Sequence, residues 1–546
     1  MKYQVQHFFS LLQSIPRHIW VLTLFFYTIY SVAAIGQWYF FGMDGYDIGI
    51  FNQVLWNSAQ GNLFEYSFNP YSYFVDHRSI LLIGLIPLYW MVAHPVILLI
   101  VQAGIAAVVI PIVFVVARNI FEQITHSVKP IVAGTVASVL YAMHPTIWHM
   151  QIQEFHMLPV LIPLSVLFVV FYQKKQWQYM SAIIGLMLLV REDVAVMTIG
   201  IGCMMLLFPR KEVKKIDRYY GSSVVVISSI VLSTQLYIGK LISPFEQSKF
   251  LALYDWAGLS VREIVLHWVT HPLETISVMV GNDHLLTIII LLCLFAFVPL
   301  FSARWTIPAL LPFGLFLFIQ EPILQPILFS HYAAFIFPWL FVAMLYGYMN
   351  VMNRYRNTET VRQIFSVSVV ICIGIQVIMF SPVMNEVHKN VILDSSRIEK
   401  LQATVERISE EDAVMATPAL YSHLSSRSAI FPTLHVMEGT YHFTDIPYEH
   451  SGGIDWMLFE RSEIALYRAV YSEEELQEAF YRFQNLITAN NLSVIESDQY
   501  IVVYGKGEDK QTQITELEQL FFGGSIEITS GSIIPFSEPH VEIVYE

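Results

Sequence analysis

Charge is scarce in this chain. Only 14% of its 546 residues are Asp, Glu, Lys or Arg, whereas 55% are hydrophobic, and the mean hydropathy is +0.53. That balance excludes an ordinary soluble globular protein and a disordered one. Cysteine is scarcer still. Cys203, Cys293 and Cys372 all lie inside apolar runs, where small core residues are expected rather than disulfides or metal ligands. Neither a GxGxxG nor a phosphate loop is present, so the common nucleotide cradles are excluded. Metal-finger spacings, internal repeats and low-complexity segments are missing too. The acidic C-terminal part, 27 acidic against 10 basic residues from Glu386 onward, argues against a nucleic-acid partner.

What remains is a series of long apolar runs. Eleven read as membrane spans: 19–41, 95–117, 131–147, 157–172, 178–191, 194–209, 220–238, 285–301, 305–319, 332–350 and 364–381. Only Lys2 and Arg17 precede the first run, and no small-residue cleavage site follows it, so an uncleaved first helix is expected. The charge divides the chain in two. From Glu386 onward there are 27 acidic and 10 basic residues, leaving 17 acidic against 20 basic before it. A slightly basic membrane domain over 1–382 and an acidic domain over 383–546 are therefore expected.

Basic residues recur in alternate loops: Arg118 and Lys129, Lys174 and Lys175, Arg210 to Arg218, Arg304, then Arg354, Arg356 and Arg362. The positive-inside rule puts these loops and the N-terminus in the cytoplasm. The first loop, 42–94, and the acidic tail then face outward from the plasma membrane. Ile80 to Ala93 is apolar but short and holds Pro87, so it is expected to lie at the outer surface. The tail reads as a small α/β domain. Strands are expected at 413–417 and 454–459, a capped helix from Ser472 to Ala489, and a strand pair at 493–495 and 500–504.

On this topology the outer face gathers the unusual polar residues, each at the end of a span, where charge costs least. Asp44 and Asp47 open an amphipathic stretch that ends at Asn57. Either acid serves as a general base at the water–lipid boundary, or both cap that helix. Asp76-His77-Arg78 reads either as a phosphate grip or as a loop ion pair. Glu154 and His156 alternate along the chain, which aims both at one place, as weak divalent-metal ligands or as polar helix ends. Arg191-Glu192-Asp193 interrupts about thirty apolar residues, as a binding group or as a structural network. His331-Tyr332 fits a lipid head group or an aromatic belt.

The order Tyr-Asp47-Ile-Gly-Ile-Phe, Leu-Trp-Asn57, Asp76-His77-x-Ser79, His144-Pro145, Phe155-His156 and Arg191-Glu-Asp193-Val-Ala resembles a polytopic membrane family, domain of unknown function 2079. That family is distantly similar to the GT-C glycosyltransferases. The resemblance implies a helical polytopic fold of about eleven spans and transfer of a sugar from a polyprenyl-phosphate donor to an acceptor hydroxyl. It implies Asp47 as base, with Asp44 as second choice. Arg78 and Arg191 become phosphate-binding candidates, with His77, Asp76, Glu192, Asp193, His331 and Tyr332 around them. Glu154 and His156 match a second acidic position loosely, and a divalent ion, Mg or Mn, is the one cofactor in view. Asn52 stands where family members often have a second Asp. Two other classes stay open: a transporter or flippase of a lipid-linked solute, and a non-enzymatic envelope protein.

Overall fold

The structure, a computed structural model, describes residues 13–123, 128–244, 249–281, 283–354, 358–392, 395–442, 444, 446–450, 452–507 and 510–523. Lys2, Arg356 and the tail residues 524–546 lie outside them. The described chain is mostly helical, as long apolar runs must be when water cannot satisfy their backbone groups. Five helices are long and apolar enough to cross a membrane: Arg17–Tyr39 (α1), Val96–Phe121, Lys211–Ile242, Val298–Leu317 and Gln363–Phe380. Two pairs, Pro130–Ala142 with Pro145–Ile152 and Pro272–Val280 with His284–Leu294, bend by 42° and 51°. Leu158–Gln173, Trp177–Leu188 and Val194–Leu207 are apolar but shorter, and Phe337–Arg354 stands where 332–350 was expected.

A helix or bent pair thus meets each of the eleven expected spans, but only five are both long and apolar enough to cross a membrane among the described residues. The expected 131–147 span shows why. His144 precedes Pro145 and takes an extended conformation, with φ -64° and ψ 127°. A proline ring disfavours the helical conformation in the residue before it, so the chain turns there. Ile80 to Ala93 forms a 3-10 turn, Ile80–Leu85, and one helical turn, Ile86–Tyr89, too short to cross.

The expected cytoplasmic loops meet at one end of the bundle. Arg210 pairs with Asp217 and lies 3.9 Å over the Tyr172 ring. Gln173 reaches Asn119 at 3.2 Å and Tyr346 at 3.1 Å, and Arg304 lies 5.5 Å over Tyr346. Groups from five segments of the chain therefore meet at one end of the bundle.

The tail carries a five-stranded sheet in the order β2-β1-β3-β5-β4, from Val414–Ala416 (β1), Ile430–Pro432 (β2), Trp456–Glu460 (β3), Leu492–Ser497 (β4) and Ile501–Lys506 (β5). β1 runs parallel to β2 and β3, while β5 is antiparallel to β3 and β4. The helix Glu473–Ala489 begins with the expected capping box between Ser472 and Glu475. It buries Phe480 and Phe483 against Met457, Phe459 and Tyr504.

The tail is not a tethered appendage. Its short helix Pro418–Leu424 (α3) packs on the helix Tyr46–Ala59 (α2), and Leu420, Tyr421 and Ile430 belong to the same core as the membrane helices. Asn52 Nδ2 donates to Ser425 and Ser426 at 2.8 and 3.0 Å. Gln53 Nε2 donates to the Arg427 carbonyl at 3.1 Å. His423 stacks between Trp38 and Phe41, with ring centroids 4.1 and 4.0 Å away.

Candidate functional site

The site grows from the N-terminus of α2. The first N–H groups of a helix have no partner within it. Asp44 and Asp47 are the obvious caps in the sequence, yet neither serves. The N-cap is Gly45, whose φ of 85° is left-handed and turns the chain before the helix starts. The free donors go instead to Glu154, from the end of the Pro145–Ile152 helix. Gly45 and Tyr46 N–H donate to its Oε1, and Ile48 N–H donates to Oε2 at 2.9 Å. Glu154 is the distant cap of α2, and the reading of Asp44 and Asp47 as caps is corrected.

The segment holding Glu154 lies outside regular helix and strand, and it is held by an uncharged residue that does not stand out in the sequence. Gln102 lies buried in the Val96–Phe121 helix. Its Nε2 donates to the carbonyls of Met150 and Glu154 at 2.6 and 2.8 Å, and its Oε1 accepts from His156 N–H at 2.9 Å. One amide in a strongly apolar run was the available signal.

So held, the His156 ring lies with Nε2 3.4 Å from Asp47 Oδ2. It stacks on His331 with centroids 3.4 Å apart. Asp47, Glu154 and His156 each offer a ligand atom within 4.8 Å of the others. The Asp47 side chain is 46% exposed, against 12% for His156, and Glu154 is buried. Burial, with the Asp47 charge beside it, pushes Asp44 up to about 7. Burial and then the charges of Asp44 and Asp47 raise Glu154, against the pull of its N–H donors. Burial brings His156 down to about 4, opposed by Asp47 and helped by Arg191 and His77. His331 is lowered for the same reason, with His156 adding to it. Both stacked imidazoles are therefore neutral near pH 7.

A second cluster adjoins the first. Glu192 lies 3.0 Å from His77 Nδ1 and accepts from Arg78 N–H at 3.0 Å. The Arg78 guanidinium is 3.5 Å away. Burial alone would raise Glu192, but His77, Arg78 and Arg191 outweigh it and hold it at about 2. Arg191 pairs with Asp193 through two nitrogens, Nε at 2.9 Å. Its guanidinium lies 5.2 Å over the Tyr332 ring, and Tyr332 touches His331 at 4.3 Å between centroids. The structural-network reading of 191–193 divides in two: Arg191 takes Asp193, while Glu192 goes to His77 and Arg78.

Eleven of the twelve sequence candidates therefore lie in these two adjoining clusters. The twelfth, Asp76, is spent elsewhere, accepting from Tyr66 Oη at 2.6 Å and Asn69 Nδ2 at 3.1 Å. Among the described residues, Arg78 Nε is a buried donor with no partner. Chemically, the arrangement offers an accessible carboxylate not taken by an arginine, Asp47, beside a neutral imidazole, whereas the exposed Asp193 is paired with Arg191. Each nearby guanidinium is already matched by an acid.

A model of one protein family, described as "Predicted membrane protein (DUF2079)", matches residues 38–484. No curated protein matches the chain. Among solved structures, the crystal structure of ArnT from Cupriavidus metallidurans bound to undecaprenyl phosphate is similar, with a TM-score of 0.47 at 10% identity. The match covers 90% of this chain and 99% of that one.

Proposed function

This chain belongs to the DUF2079 family, as a multi-pass membrane protein with several apolar helices, and we propose that it transfers a sugar from a polyprenyl phosphate to an acceptor hydroxyl. The observation that carries this reading is the Asp47 carboxylate, exposed on one side and braced on the other by His156 at 3.4 Å. An acid so placed takes the proton of a hydroxyl as that oxygen attacks the sugar carbon. The carbon–oxygen bond to the phosphate breaks, and the lipid phosphate leaves with the bonding pair. Arg78 and Arg191 face the leaving phosphate, but Glu192 and Asp193 already balance them. More positive charge is needed there.

A divalent cation, Mg or Mn, fits that need. Asp47, Glu154 and His156 would hold it, an oxygen-and-nitrogen donor set suited to such ions. Glu154 Oε1 already accepts two N–H bonds, while Oε2 accepts one and keeps a lone pair. The reading further places the N-terminus in the cytoplasm, the membrane domain at 1–382, and the 383–546 domain with the site outside the plasma membrane.

The test incubates purified protein with radiolabelled polyprenyl-phosphate sugars and a membrane extract as acceptor. Transfer is expected from the native chain, with a loss of about 100-fold or more in Asp47→Ala, the range a general base contributes. Full transfer by a folded Asp47→Ala protein would overturn the assignment. A second reading, a flippase for a lipid-linked solute, draws on the two bent helix pairs, since broken helices mark transporter sites. It predicts movement of labelled lipid across vesicles without transfer.

A further inference from the structure

We infer that Gln102 is a positioning residue for the Asp47 site, acting as a clamp on the backbone of residues 150–156. Of the residues it holds, Met150 lies in the last turn of the Pro145–Ile152 helix, while 154–156 have no regular pairing. Residues 154–156 belong to no strand or helix, so their backbone groups need partners from elsewhere. Gln102 supplies three at once: the Met150 and Glu154 carbonyls on Nε2, and the His156 N–H on Oε1. A primary amide alone among side chains offers two donors and an acceptor on one planar group. The amide is 1% exposed and sits on a helix whose neighbours are apolar.

The consequences run through two side chains. With its own carbonyl held, Glu154 turns its carboxylate to the N-terminus of α2 and caps it. With its N–H held, His156 presents its imidazole to Asp47. Both ends of the Asp47 geometry, its helix and its neighbour, are thus referred to one point in the Val96–Phe121 helix. A misplacement of about 1 Å at a reacting group costs on the order of 100-fold in rate, which is the reason to fix such a segment with three bonds. The importance of the clamp for catalysis rests on the function proposed above; the clamp itself does not.

The test therefore reads the segment directly. In the purified full-length protein at pH 7, carbethoxylation by diethyl pyrocarbonate is followed at each histidine by peptide mass spectrometry. Gln102→Met and Gln102→Leu keep the volume and apolar surroundings while removing the bonds. The inference expects His156 to react at least about fivefold faster in both variants, with His144 and His149 unchanged. A common rise at all three histidines would show that Gln102 only packs the bundle, and no change at His156 would show that nothing is clamped; either overturns the proposal. Should the variants fail to fold, hydrogen exchange at the His156 amide of the native chain decides. Protection of about 100-fold or more supports the clamp, and exchange at the unprotected rate removes it. A native chain that transfers no sugar would defeat the proposed function and leave these readouts standing. If transfer is found, the variants should lose kcat by about tenfold with KM nearly constant.

Discussion

At the scale of single residues, the site works by inequality among acids. Glu154 and Glu192 are buried and committed to neighbours, Asp193 is taken by Arg191, and Asp44 is half-buried, whereas nearly half of the Asp47 side chain meets solvent. Glu192 carries the clearest consequence for pH. Its carboxyl falls from an ordinary 4.5 to about 2 in the folded chain because His77, Arg78 and Arg191 surround it. A depressed acid stabilises the fold fully above its ordinary value and loses that contribution as pH falls toward the folded value. Glu192→Gln should therefore lower the thermal midpoint by a constant amount from pH 7 to about 5. The gap from the native chain should narrow between about 4.5 and 2. A gap that stays constant across that window in detergent melts would show that Glu192 is not the ion-paired acid described.

At the scale of elements, α2 is the part on which the site depends, held by Glu154 at its start and by the tail along its flank. Gly49 faces the Tyr421 ring so closely that a Cβ would overlap it. Gly49→Ala should cost about 1–3 kcal/mol through overpacking. In a Tyr421→Ala background the same change should become favourable by up to about 1 kcal/mol, since alanine is the better helix former. A double-mutant cycle of thermal or denaturant unfolding reads that change of sign. If the cost is the same in both backgrounds, the contact is not what selects glycine.

This dependence was only partly legible in the sequence. The polar clusters at span ends were visible because charge stands out against apolar runs, and the alternation of Glu154 and His156 gave their common direction. The capping of α2 was not, since its acceptor lies 106 residues from Ile48. Gln102 was hidden because a lone amide scarcely alters the hydropathy of a span. The spans were legible as apolar runs, but the bend at His144 depends on a single residue before proline. Asn52 stands where an acid was expected and binds the tail instead: its Nδ2 donates to two serines while its Oδ1 accepts from Tyr89 at 2.8 Å.

At the scale of the whole molecule, the polar groups divide between two ends. Arg210 and Asp217, with Tyr172, mark one, and the Asp47 cluster marks the other, where the tail packs along the flank of α2. Single cysteines test the assignment to membrane faces. With Cys203, Cys293 and Cys372 replaced by serine, Lys211→Cys should resist a membrane-impermeant maleimide in intact cells. Glu478→Cys, on an exposed tail position, should react at once. Labelling of both, or of Lys211→Cys alone, would reverse or abolish the proposed topology.

The contact between Asn52 and Ser425 spans 373 residues of chain. A ribosome adding about 5–20 residues per second takes roughly 20 to 75 s to travel that far. For that interval α2 exists without the surface that covers its flank, and Gly49 lacks the Tyr421 ring that packs on it. Biosynthesis therefore sets a clock: the helix carrying Asp47 acquires its finished surroundings only after 373 further residues have been made.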